Sequence, residues 1–276
     1  AIACFIAAAQ QVLSKDHITG SISLLITGDE EGPAINGTRK MLNWLSEHDE
    51  RLSACLVGEP TNPEYLGQTV KIGRRGSMNA KLTIHGTQGH TAYPHLADNP
   101  AHKLVNILKF FITNSWDQGS QYFPPSTLQI STIDIGNPAS NVIPNRAQST
   151  FNIRFNDMHS SQSLTNFLYS SIDSLIGEGG SYDLEISTSG ESFITPPGPL
   201  SKLVSESIKS VLGIMPELST TGGTSDARFI KDHCEVVEFG MVGLTMHKSN
   251  EEAHIADLHN LKKIYETVLR GYFSST

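Results

Sequence analysis

The chain has 276 residues, 38% hydrophobic and 17% charged, which are the proportions of a globular protein long enough for one large domain or two ordinary ones. Its net charge of −8 is spread along the sequence rather than blocked, which argues against a nucleic-acid partner. No run reaches the ~20 apolar residues of a membrane span, and the three cysteines, Cys4, Cys55 and Cys234, lack C-x-x-C spacing and are expected as reduced thiols of a cytoplasmic protein.

The opening "AIACFIAAAQQVLS" predicts a core helix from its first residue, with no capping residue and no initiator methionine. It lacks the basic leader and cleavage site of a signal peptide, and is expected to pack on a partner further upstream in a longer chain. "SISLLIT" (21–27) is a continuous apolar run of the kind that forms a strand buried on both faces. "TRKMLNWLSEH" (38–48) has helical spacing, and "ACLVGEP" (54–60) predicts a second buried strand halted by Gly58 and Pro60.

From residue 76 the pattern changes. In "SMNAKLTIHG", Met78, Ala80, Leu82 and Ile84 alternate with polar residues, which suits a sheet with one wet face. Helix 101–114, strands 126–136 and 148–156, helix 163–176 and strand 182–188 follow, completing a β-α-β-β-α-β order. Beyond that, helix 200–213, a glycine-rich turn 220–229, strand 234–240 and a final helix from Asp257 to Tyr272 restore buried α/β character. The predicted fold is α/β: a catalytic domain with a central, mostly parallel sheet from residues 1–75 and 191–276, interrupted by an inserted ferredoxin-like α+β domain, 76–190.

Ligands of open parallel sheets gather beyond the carboxyl ends of the strands. Glu30 and Glu31 of "TGDEEG" follow the predicted strand 21–27, Glu59 follows 54–57, and His247 follows 234–240. Two carboxylates and an imidazole at one sheet edge suit zinc or a similar divalent ion, and a further carboxylate beside them could activate water. Acidic residues after strands also serve as plain turn or cap groups, and His254 competes with His247 in the same stretch.

The motifs "TGDEEG", "VGEPT", "GRRGSMNAKLTIHGTQGHTAYPHLADNPAH", "NVIPN", "GGTSDARF" and "MHKSNEE" occur in that order along essentially the whole chain. Together they resemble the zinc aminoacylase/carboxypeptidase family of metallohydrolases. The resemblance implies a di-zinc centre, with cobalt able to replace zinc, and homodimerisation through the inserted domain. It implies hydrolysis of the amide of N-succinyl-LL-diaminopimelate in lysine and diaminopimelate biosynthesis; deacylation of acetylornithine or another acyl amino acid is the enzymatic alternative. Carried over by motif, Glu30 is the general base and Glu31 and Glu59 ligate one zinc each. His247 of "H-x-x-N-E" completes the ligand set in preference to His254, and His90 of "QGH" reaches across the dimer to the oxyanion. Arg74, Tyr93, Asn141, Arg154, Gly223 and Thr224 stand at substrate-contacting positions.

The sequence departs from the family in two places. The family's H-x-D histidine and its metal-bridging aspartate, both upstream of "AIA", are not among these residues, and Gly243 stands where a substrate-contacting asparagine is expected. These 276 residues by themselves are expected to bind metal incompletely and to lack turnover, leaving a dimerising ligand-binding module as the non-enzymatic alternative.

Overall fold

The computed structural model describes residues 1–32 and 34–274. In chain order it has helices α1 (Ile2–Leu13) and α2 (Thr38–Glu47), then strands β1 (Ala54–Val57), β2 (Thr69–Lys71), β3 (Gly73–Arg74), β4 (Gly76–His85) and β5 (Gly89–His90). Helix α3 (Pro100–Thr113), strands β6 (Thr127–Asp134), β7 (Val142–Ile143) and β8 (Arg146–Phe155), helix α4 (Ser161–Ile176), and strands β9 (Ser181–Gly190) and β10 (Phe193–Ile194) come next. The chain closes with α5 (Pro199–Leu212), β11 (Glu217–Ser219), α6 (Ala227–Ile230), β12 (Glu235–Glu238) and α7 (Ile255–Ser274). It divides into two compact units, Ala1–Arg74 with Phe193–Thr276, and Arg75–Ser192. Among the described residues no helix is long and apolar enough to cross a membrane.

In the first unit the sheet order is β1-β12-β2-β11. β1 runs parallel to β12 and β11 parallel to β2, while β12 and β2 meet antiparallel at the single pair Glu238–Lys71. Successive residues of β12 face opposite ways, as strand geometry requires. Val237 packs with Val70, Ile72, Ile208 and Ile264, and Val236 with Leu42, Ala227 and Ile230. Both faces are therefore covered, which is why the successive residues Val236 and Val237 are both apolar. The Tyr265 hydroxyl donates to the Phe239 carbonyl at 2.7 Å, and its ring stacks on Phe5 at 3.8 Å.

Thr61 and Asn62, both buried, reinforce the junction of β12 and β2. Asn62 Nδ2 donates to the Gly240 carbonyl at 2.8 Å while its Oδ1 accepts the Thr69 N–H at 2.9 Å. Thr61 Oγ1 donates to the Thr69 carbonyl at 3.1 Å and accepts the Gly240 N–H at 3.3 Å.

The second unit is a four-stranded antiparallel sheet, β6-β8-β4-β9, carrying α3 and α4. β4 pairs with β8 from Gly76–Phe155 to His85–Arg146. Met78, Ala80, Leu82 and Ile84 are buried with Phe151, Ile153 and Phe155 under Leu104, Phe111, Leu164 and Leu168. Asn99 caps α3 through the Ala101 N–H at 3.0 Å, with Pro100 in the first turn, and Ser160 and Ser163 cap α4 reciprocally.

One predicted element is absent. Residues 21–27 carry no strand, and Leu24 and Ile26 are exposed. A strand exists only with a hydrogen-bonded neighbour, and none of the described residues pairs with this run. Two others are shorter or changed: the strand predicted for 234–240 spans Glu235–Glu238, and the turn predicted for 220–229 ends in the one-turn helix α6.

A polar hub fixes the loops of the second unit. Asp117 accepts from the backbone N–H of Gly119 at 2.7 Å, from Ser126 N–H at 3.1 Å, from Asn156 Nδ2 at 2.7 Å, and lies 3.1 Å from His159 Nε2. Burial pushes this carboxyl up, but the hydrogen bonds from Ser126, Gly119 and Asn156 outweigh it and hold it below the ordinary aspartate value. Asp117→Ala leaves these donors unsatisfied and should cost about 3 kcal/mol; a urea midpoint unchanged from wild type would contradict the hub.

Candidate active site

The three consecutive acids of "TGDEEG" divide their work. Asp29 is structural, its Oδ2 accepting the N–H groups of Ile35 at 2.7 Å and Asn36 at 2.8 Å, which curls the loop before α2. Glu30 is left partly buried and Glu31 exposed. Glu31 Oε1 lies 3.6 Å from His247 Nε2, with both side chains exposed. His247 itself sits in the left-handed region, φ 61°, at the end of the 243–247 turn. Such backbone is uncommon for a histidine and turns its side chain out of the regular course of the loop.

Behind this pair is a half-buried cluster of charge. Arg74 at the end of β3 and Glu238 at the end of β12 form a two-bonded ion pair, Nε to Oε1 at 2.9 Å and Nη2 to Oε2, with Glu238 only 1% exposed. Ser225 Oγ adds a bond to Glu238 Oε1 at 2.8 Å, and Arg74 Nη1 donates to the Gly223 carbonyl at 3.1 Å. Losing either member of such a pair strands the other charge at a cost of about 3–5 kcal/mol. Asp226 Oδ2 accepts from Thr38 Oγ1 at 2.7 Å and Thr27 Oγ1 at 3.4 Å, whereas its Oδ1 is buried without a partner.

Negative charge is in excess. Glu59 is pushed up to about 7, first by burial and then by Glu238 and Glu30, with Arg74 opposing. Burial, Glu31 and Asp226 likewise raise Glu30, against Arg228 and Arg74. Carboxylates crowded this way in a desolvated site call for a cation. In charge and donor type, Glu31, Glu59 and His247 fit divalent ions, and the unpartnered Asp226 oxygen points the same way. Among the described residues, however, no group of three histidine, cysteine or acidic side chains is placed to hold an ion, so this set is partial.

The remaining predicted positions fall in two places. Gly223 and Thr224 lie on the turn against Arg74, where Thr224 Oγ1 accepts from Arg228 Nη1 at 2.7 Å and Gly222 adopts φ +102°. Arg74, predicted as a substrate anchor, already gives two hydrogen bonds to Glu238 and one to Gly223. In the second unit the ribbon β5–β7 brings His90, Tyr93 and Asn141 together: His90 and Tyr93 rings are 5.7 Å apart, and the Asn141 carbonyl accepts the Thr91 N–H at 3.0 Å. Arg154 lies on the polar face of β8 opposite Ser77, its Nη1 buried and unpartnered.

A family model, "Peptidase family M20/M25/M40", matches residues 1–271. The chain belongs to that family. It is 54% identical over 275 residues to the succinyl-diaminopimelate desuccinylase of Parvibaculum lavamentivorans, covering 99% of this chain and 69% of that protein. It is 55% identical over 274 residues to the enzyme of the same name from Rhodospirillum centenum, covering 99% and 70%. Family folds of known structure superpose on it: aminopeptidase PepT from Bacillus cereus at TM-score 0.77 and 16% identity, covering 97% of this chain and 70% of that one. An M20 metallo-carboxypeptidase from Sulfolobus solfataricus matches at TM-score 0.77 and 15% identity, covering 98% and 75%.

Sequence reasoning missed Glu238, Asp226 and Lys71. Glu238 and Lys71 did leave a trace, as charged residues inside apolar strand runs, which must find partners if buried.

With divalent ions stripped away, Glu59 takes up its proton at about 7 in the folded chain against 4.5 in an ordinary glutamate. The folded state then binds more protons across that window, so stability falls as pH rises through it. Glu59→Gln should flatten the fall and raise the melting temperature of metal-free protein at about pH 8. Parallel pH–melting curves for variant and wild type would remove the assignment.

Proposed function

We propose that the protein hydrolyses the amide of N-succinyl-LL-diaminopimelate to succinate and LL-diaminopimelate, serving lysine and diaminopimelate biosynthesis in the cytoplasm. The supporting observation is identity of 54% and 55%, over 99% of the chain, to relatives bearing the name succinyl-diaminopimelate desuccinylase. The three cysteines are unpaired, which suits a reducing compartment.

Glu31, Glu59 and His247 are the residues that would hold metal, two zinc ions in the intact enzyme or cobalt in their place. Bound there, the ions would supply Lewis-acid polarisation of the amide carbonyl. The rest of the chemistry belongs to side chains. Glu30 is the general base: burial and its acidic neighbours raise its affinity for a proton, so it accepts one from the attacking water and returns it to the leaving amine.

His90 is the oxyanion donor. Its Nδ1 accepts the Ala92 N–H at 3.0 Å, so the neutral ring carries its own proton on Nε2, free to donate. Arg154, Tyr93, Asn141, Gly223 and Thr224 contact substrate, Arg154 through a guanidinium that no carboxylate among the described residues engages. Arg74 retains only its Nη edge for substrate, beside Gly223.

In the full-length enzyme, Glu30→Gln should lower kcat about 1,000-fold while metal content by elemental analysis stays at the wild-type level. Full turnover in that variant, or a wild-type preference for acetylated over succinylated substrate, would overturn the reading. The protein pairs with a second copy through residues 76–190, where β6 and β9 are the outer strands of their sheet and Val105 and Ile112 of α3 are exposed. Light scattering at micromolar concentration should give twice the chain mass; a monomer would contradict the pairing.

A further inference from the structure

Lys71 is a lysine at the end of a buried strand, 5% exposed, that the reaction chemistry leaves unused. Its ammonium donates to Thr221 Oγ1 at 2.8 Å and Ser219 Oγ at 3.2 Å. Those two hydroxyls are 2.9 Å apart, and the Thr221 N–H donates back to Ser219 Oγ at 3.2 Å. Further along the same turn, Arg74 holds the Gly223 carbonyl and Glu238 holds the Ser225 hydroxyl. The segment is thus tied down from one side at Ser219, Thr221, Gly223 and Ser225. Its other side is uncovered: Gly222 and Gly223 are exposed, and a side chain on Gly223 would meet nothing within 4 Å. At Gly222 the positive φ strains any larger residue, and the Arg74 guanidinium, 3.0 Å from where a Cβ would sit, would have to shift to admit one.

We propose that Lys71 is a positioning residue for substrate, fixing through Ser219 and Thr221 the Gly222–Thr224 backbone that receives a substrate carboxylate. This rests on the assignment of Gly223 and Thr224 to substrate made above. Exposed glycine backbone held from behind by cations is a receptor for a carboxylate, and its fixed shape spares the entropy of ordering it at binding. The charged groups facing Lys71 are Arg74 from β3, Glu238 from β12 and Glu217 from β11. Burial and then Arg74 bring the ammonium down to about 8, against Glu238 and Glu217. Above that pH the turn loses the positive charge behind it, so the KM for substrate rises while kcat, set at the carboxylate cluster, does not.

The test is steady-state kinetics of the metal-loaded, full-length enzyme on N-succinyl-LL-diaminopimelate, with Lys71→Met and Lys71→Arg compared across pH. Lys71→Met should raise KM about tenfold at neutral pH with kcat within about threefold of wild type. Lys71→Arg, which stays protonated, should keep KM near wild type and move its alkaline rise beyond pH ~9. If Lys71→Met does not fold, Thr221→Val should raise KM several-fold alone. An unmoved KM in the folded variant, or an alkaline rise unchanged in Lys71→Arg, overturns the inference while the hydrolase reading stands. Absence of wild-type turnover on the succinylated substrate overturns both.

Discussion

The site depends on one buried ion pair. Arg74 and Glu238 come from strands far apart in sequence and meet with two hydrogen bonds where water is excluded. Each is tolerable there because of the other. Around that pair, burial first and the crowding of carboxylates second raise the proton affinities of Glu59 and Glu30, with Arg74 opposing both shifts and Arg228 that of Glu30. A fold that spends free energy holding carboxylates together in partial desolvation has a use for the resulting field. Membership of a metallohydrolase family supplies that use.

The same pair divides the predicted substrate residues into anchored and free. Arg74 is largely consumed in structure, whereas Arg154 Nη1 is buried without a hydrogen-bond partner among the described residues. Guanidinium groups are alike in sequence. Only the fold distinguishes one that shapes a site from one that meets a ligand.

Much of the fold was legible. The alternation from Met78 to Ile84 marked the helix-covered face of β4, and the helical spacing of 101–114 and 163–176 marked α3 and α4 within a residue or two. What escaped was whatever depends on a partner. "SISLLIT" has every local property of a strand and is not one, because pairing is not a local property. Strands β2, β3, β10 and β11 span three residues or fewer, too short for any periodicity to register. In the site, motif order pointed to Glu30, Glu31, Glu59 and His247, while Lys71 and Glu238 acquire meaning only through the register that sets them opposite each other.

That register makes the first sheet a join of two parallel two-stranded pieces, β1–β12 and β2–β11, sharing one ladder position. Elsewhere along the seam, Thr61 and Asn62 stand in for the missing backbone rungs. Glu238, and Glu59 just beyond β1, belong to one piece and Lys71 and Ser219 to the other, while Arg74 lies on the separate β3–β10 ribbon. Glu59 and Lys71 are therefore carried on separate rafts moored by one ladder position and by Thr61 and Asn62, and strain along that mooring line would alter their spacing without unfolding either raft.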